Sequence, residues 1–104
     1  MKFRRLPQFE RDWAALPPAE RDLVKQWLRE SLLPAVDGYA ADPVRFTWPK
    51  KLRFESIQGA PGVYAVTWSF SGPDGRATFH FEESDGDRRL VWRRIGHHDI
   101  YTTP

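Results

Sequence analysis

The sequence predicts an α+β fold in which an N-terminal helical hairpin packs on one face of a small, mainly antiparallel twisted sheet. Three observations carry this expectation. Apolar residues recur at helical spacing in roughly the first forty positions. From the fifties onward the period becomes two. Clusters of Pro, Gly, Asp and Ser separate the apolar runs of the second half by short intervals, which is the pattern of strands joined by tight turns. Helices first and strands afterwards in so short a chain mean one sheet with the helices on one side.

Each element has its own justification. Lys2 to Arg5 is a candidate short strand with Phe3 as its buried residue. Pro7 suits the first turn of a helix, and Phe9, Trp13 and Leu16 fall on one helical face. Pro17-Pro18 stops that helix, and Pro18 opens a second, with Glu20 and Asp22 in its first turn where the helix dipole favours acids. Leu23, Val24, Trp27, Leu28 and Leu32 give the second helix an apolar face, and Pro34 and Gly38 are expected to end it. Ala40 to Pro49 reads as a loop, marked by Asp42-Pro43 and Trp48-Pro49, with Trp48 the tryptophan expected to be exposed. Leu52 to Ile57 is a candidate strand, and Val63 to Phe70 is β-branched and aromatic throughout. Arg76 to Phe81 alternates strictly, and Arg88 to Ile95 is the last strand. The turns fall at 59–62, 71–75 and 84–87, so the three final strands form an antiparallel meander.

A chain of 104 residues fits one domain covering positions 1–104. At that size only roughly 65% of the unfolded surface is hidden on folding, so most of the apolar side chains belong to one core. Apolar residues make up 40% and aromatics 14%, too many for a disordered chain. No apolar run approaches the ~20 residues of a membrane span, and no signal-peptide pattern opens the chain. A cytoplasmic protein with no membrane partner is the expectation. Cysteine is absent, which excludes disulfides, thiol catalysis and Cys-ligated zinc. Neither a phosphate loop, a dinucleotide fingerprint, GxSxG nor HExxH occurs, so nucleotide-dependent and zinc-protease chemistries have no support.

Net charge is +2, but its distribution is uneven. Arg45, Lys50, Lys51 and Arg53 form one acid-free basic run; Arg88, Arg89, Arg93 and Arg94, followed by His97 and His98, form another. Two such clusters suit an anionic partner, and they equally suit solvated surface charge. In the strand RATFHF, Ala77, Phe79 and Phe81 point to one face and Arg76, Thr78 and His80 to the other. Ala65, Thr67 and Ser69 of the preceding strand line that second face, making a small floor on which Arg76 can hold an anion. The same pattern is also that of a solvent-facing sheet face. His98 follows the last strand after Gly96, with a side chain suited to proton transfer near neutrality. Trp48, Trp68, Trp92 and Tyr101 are the aromatics able to stack on bases, and core packing is their ordinary use.

The order of these features resembles the RelE/ParE superfamily of bacterial toxins from toxin–antitoxin pairs. FERDWAALPPAERDLVKQWL resembles the family's helical hairpin with its Leu-Pro break. PGVYAVTWSF followed by RATFHF resembles its paired strands, and LVWRRIGHHDIY resembles the closing strand and Arg-x-Gly-x-His end of the ribonuclease branch. The match spans almost the whole chain. By position, the resemblance implies that Arg76 contacts the scissile phosphate, that His98 is the catalytic histidine near the C-terminal end, and that Tyr101 orients or stacks on substrate. It implies that Lys50, Lys51, Arg53, Arg93 and Arg94 neutralise RNA phosphates, one of the last two facing away. His80 stands where it could substitute for a further family histidine, and Glu55 is a candidate carboxylate base.

What the resemblance implies for function is a metal-independent, ribosome-associated endoribonuclease that cuts mRNA and blocks translation. It implies no cofactor and no metal, and its partners are a cognate antitoxin, the ribosome and mRNA. Two other readings share the fold: a ParE-like inhibitor of DNA gyrase, and a non-catalytic RNA- or protein-binding module.

Overall fold

Alternating side chains in the second half of the chain build a sheet with one greasy face, and the helices of the first half cover it. The computed structural model describes residues 1–69, 74–97, 100 and 103–104. The strands are β1 (Lys2–Arg5), β2 (Glu55–Ser56), β3 (Val63–Trp68), β4 (Gly75–Ser84) and β5 (Asp87–Gly96). The helices are α1 (Pro7–Ala15), α2 (Pro18–Trp27) and α3 (Leu33–Ala41). The five strands lie in the order β1-β5-β4-β3-β2. All neighbours pair antiparallel except β1, which runs parallel to β5. That parallel edge joins the two ends of the chain, and almost every other element lies between them in sequence. No helix among the described residues is long and apolar enough to cross a membrane.

The meander follows the predicted order. β4 and β5 are each longer than the alternation marked, ten residues apiece. Their turn is Asp85-Gly86, with both residues at positive φ (52° and 81°), the backbone sense that matches strand twist in a two-residue hairpin. On the helix side, Val66, Trp68, Ala77, Phe79, Leu90, Trp92 and Ile95 meet Phe9, Leu16, Val24, Leu32 and Val36. Burying Phe79 or Trp68 there contributes about 2–3 kcal/mol each. Gly75 makes one of these contacts possible: a Cβ at that position would fall within the indole of Trp68, which lies across the Gly75 backbone.

Five local expectations are corrected. The second helix does not end at Pro34 but continues to Ala41. Pro34 has no N–H, and its ring would press on the carbonyl of Glu30. A π turn over Leu28–Leu32, closed by the Leu33 N–H donating to the Leu28 carbonyl, widens the coil just ahead of the proline. Gly38 therefore ends nothing; it gives room to Phe46, whose Cε1 would lie 2.6 Å from an added Cβ. Phe3 is 45% exposed, because β1 is an edge strand and its pair partner Leu90 takes the buried place. Leu52 to Ile57 is not one strand: a 3-10 turn spans Lys50–Leu52, Arg53 is left-handed at φ 46°, and only Glu55–Ser56 pair with β3.

Trp48 is the fifth correction. It is half-buried, stacked on Phe54 at 4.3 Å with planes 4° apart. Tyr39 also stacks on Trp48 at 5.5 Å, and Tyr64 stacks on Phe54 at 5.1 Å. The loop expected to expose Trp48 instead folds back over the sheet and covers aromatic surface there. β3 ends at Trp68, short of the expected Phe70, which lies outside the described residues together with 71–73.

Helix α1 is fastened to β5 by Asp12 and Arg94. Arg94 donates from Nε to Asp12 Oδ2 at 2.6 Å and from Nη2 to Oδ1 at 3.2 Å. The Ile95 N–H adds a bond to Oδ2 at 3.1 Å. Burial alone would raise the Asp12 pKa, but the hydrogen bonds from Arg94, Gln8 and Ile95 and the Arg94 charge outweigh it, so the pKa lies below its ordinary 3.8. The stability this carboxylate contributes is therefore complete above that pH and is lost as pH falls through the lowered folded-state value.

Two outcomes are expected. Gly75→Ala should cost about 3 kcal/mol in urea unfolding, the upper part of the overpacking range, since the Trp68 ring cannot be displaced cheaply. Asp12→Asn should cost about 3 kcal/mol at pH 7, because it removes the carboxylate charge that Arg94 and the Ile95 N–H hold through three hydrogen bonds. The gap between Asp12→Asn and the parent should close as pH drops below 3.8. A gap unchanged from neutral pH into acid would mean that the charge of Asp12 is not what holds the helix.

Candidate nucleic-acid interface

The face of the sheet away from the helices is assembled by strand register. Thr67 stands opposite Arg76, and Glu55, Ala65 and Thr78 form a row across β2, β3 and β4. Val63, His80, Val91 and Arg4 form the next row, and Glu82, Arg89 and Lys2 the one beyond. Among the described residues this face carries Lys2, Arg4, Arg76, Arg89, Arg93 and Arg94 against the acids Glu55, Glu82 and Asp87, the last bound to Lys2 at 2.8 Å. Its floor is made of small and β-branched residues, Val63, Ala65, Thr67, Thr78 and Val91, all buried. Cations ring a floor too shallow to hold large side chains of its own, which suits contact with a flat, anionic chain.

A β-bulge brings the two adjacent arginines of β5 to the same side of the strand. Pairing with β4 passes from Thr78↔Arg94 directly to Phe79↔Trp92, so Arg93 is the extra residue. Arg94, paired with Thr78, reaches round to Asp12 of α1, whereas Arg93 reaches over the outer face. Arg93 Nη1 lies 3.1 Å from His80 Nδ1. A guanidinium can only donate, so Nδ1 is the acceptor, and the proton sits on Nε2, which donates to Glu82 Oε1 at 3.1 Å. Arg4 Nη2 donates to the same Glu82 oxygen at 2.9 Å. The hydrogen bond from His80, followed by the charge and hydrogen bond of Arg4, holds the Glu82 pKa below its ordinary value. A line of polar contacts, Arg4–Glu82–His80–Arg93, thus crosses three strands and fixes the direction of Arg93.

A second group lies at the start of β4. Arg53 Nη1 donates to Asp74 Oδ2 at 3.1 Å. The Asp74 carboxyl is held below its ordinary pKa by a hydrogen bond from Ser69, then by Arg53 and by the charge of Arg76. Arg53 is therefore brought near Arg76 through a shared acid, and the left-handed backbone at Arg53 makes that turn. Lys50 and Lys51 are exposed on the 3-10 turn just before it.

The outer face also holds a piece of the chain itself. Pro104 lies on it, its backbone oxygen accepting from Thr78 Oγ1 and from Arg93 Nε, both at 3.1 Å. Thr103 beside it accepts from Arg94 Nη1 through its carbonyl at 3.0 Å and its hydroxyl at 2.8 Å.

Of the residues singled out from sequence, Arg76, His80 and Arg93 share the outer face, and Lys50, Lys51 and Arg53 lie together at one end of β4. Arg94, expected to face away from Arg93, pairs with Thr78 on the same side and is held by Asp12 of α1. Glu55 stands on the outer face at the β2 edge. His98 and Tyr101 lie outside the described residues. Sequence reasoning missed Arg4 and Glu82, whose meeting across 78 positions no local pattern could announce. It placed Thr78 on this face, but not its complete burial or its bond to Pro104.

No family model and no curated protein matches this sequence. Among solved structures, a chain of the intact E. coli RelBE toxin–antitoxin complex matches with a TM-score of 0.54 and 14% identity, over 92% of this chain and 94% of that one. The overall fold is thus shared along nearly the whole length of both. This chain has the RelE-like α+β fold that its sequence motifs resemble.

Proposed function

We propose that this protein is the toxin of a type II toxin–antitoxin pair and acts as a metal-independent, ribosome-associated endoribonuclease on mRNA. The observation that carries the reading is the arginine-ringed outer face, built on a fold shared with a chain of a toxin–antitoxin complex. RNA supplies its own nucleophile, the 2′-OH. A protein that cuts it must remove that proton, neutralise charge on the phosphoryl group and protonate the departing 5′-oxygen. Arg76 is assigned the charge: its planar guanidinium stays cationic and offers a fork of donors to the phosphate. His98 is assigned proton transfer and Tyr101 substrate orientation, both from the family motif. Arg93, aimed by His80, binds a neighbouring phosphate, and Lys50, Lys51 and Arg53 extend the cationic track.

In this reading His80 is a positioning residue, since both ring nitrogens are occupied by Arg93 and Glu82. Arg94 belongs to the fastening of α1 rather than to RNA. A cognate antitoxin, acidic enough to cover the basic face, is the regulatory partner, and the cytoplasm is the compartment in which ribosomes and mRNA are met.

The deciding experiment is mapping of mRNA 5′ ends in cells after induced expression, with growth followed in parallel. The unmodified chain should arrest growth and cut within translated frames. Arg76→Ala should lower cutting by ~10²–10³-fold, the scale of losing one preorganised charge donor, and His98→Ala should abolish it. Growth arrest without cuts would point to a gyrase-type target, and neither effect to a binding module.

A further inference from the structure

The Pro104 contact assigns a second anion site on the outer face. Thr78 is completely buried, yet its hydroxyl is not turned inward to the backbone; it donates to the Pro104 oxygen. Arg93 Nε donates to that same oxygen, and the opposite edge of its guanidinium is held by His80 Nδ1. Two donors from different strands thus converge on one oxygen at equal distances of 3.1 Å. That is what an oxyanion subsite requires: donors fixed in advance, one of them cationic, in a place sheltered from water. A buried hydroxyl also carries a cost if left unpaired, so this place must always be filled by some acceptor.

We propose that Thr78 Oγ1 and Arg93 Nε form a phosphate-oxygen subsite distinct from Arg76, and that the Pro104 oxygen fills it as an internal stand-in when no substrate is bound. The ligand class is a phosphodiester, bound two residues along β4 from Arg76; this rests on the ribonucleic reading above. Thr103, tied to Arg94 through its carbonyl and hydroxyl, is the latch that keeps Pro104 in place. Arg94 in turn is held by Asp12, so the latch is anchored to α1. Substrate binding and latch release are then one equilibrium, and the apparent affinity for phosphate is weakened by the fraction of molecules in which the latch is closed.

The test is an NMR titration of the full chain with inorganic phosphate, reading the Arg93 Nε–H signal, the Thr78 amide and the Thr103 amide together. All three should move along one binding curve, because phosphate enters as Pro104 leaves. Thr103→Gly, which removes a hydroxyl bond from the latch, should tighten phosphate binding about fivefold, and adding Thr78→Val should cancel that gain. A Thr103 signal that stays still while Arg93 saturates would overturn the proposal, as would weaker binding in Thr103→Gly. If Thr78→Val does not fold, the titration of the unmodified chain still decides. Phosphate binding is read without cleavage, so a chain that shows the coupled curve but cuts no mRNA loses the ribonuclease reading and keeps the subsite.

Discussion

The two-residue alternation of β4 is the constraint on which the rest of the molecule depends. Ala77, Phe79 and Phe81 point toward the helices, while Arg76, Thr78, His80 and Glu82 point away. Because the strand lies at the centre of the sheet, a slip of one residue would drive arginine and histidine into the core and leave Phe79 in water. Phe79, which is fully buried and meets rings from β3, β5 and the aromatic series, holds that register. The polar side is therefore a by-product of core packing in the strict sense. The same burial that stabilises the fold keeps its cations on the other side.

Adjacent arginines on one strand would ordinarily be sent to opposite faces. Here a bulge cancels that alternation and keeps both on the side of Thr78, with Arg93 the inserted residue. One guanidinium becomes a structural clamp with Asp12 and the other becomes a donor aimed by His80. The two are not independent. Arg94 also grips Thr103, and Arg93 grips Pro104, so the end of the described chain is held by both arms of the bulge. Packing of α1 and occupation of the outer face are linked through a few hydrogen bonds rather than through a movement of whole elements.

Polar order on the outer face follows from what each group can donate. Arg93 cannot accept a hydrogen bond, so it dictates the His80 tautomer, which makes Glu82 the natural partner of Nε2. Arg4, arriving from the parallel edge strand, completes the charge on Glu82. The direction of Arg93 is thus set by residues that start more than seventy positions earlier in the chain, and the short β1 strand has a role beyond closing the sheet edge.

Local chemistry made most of the fold legible in the sequence. Period-two alternation marked the meander, the Pro17-Pro18 break marked the hairpin, and the sidedness of β4 brought Arg76 and His80 to one face. The extension of the helix past Pro34 was not legible, because a proline at that spacing ordinarily ends a helix and the π turn that absorbs it leaves no pattern of its own. Nor was the burial of Trp48, whose neighbours Tyr39 and Phe54 reach it only after the loop folds back. The pairing of Arg94 with Asp12, the aim of Arg93 and the seat of Pro104 were also decided by tertiary structure alone. Each joins groups far apart in sequence, and hydrogen-bond geometry of that kind leaves no periodicity behind; only burial patterns and turn chemistry, which act between near neighbours, are written along the chain.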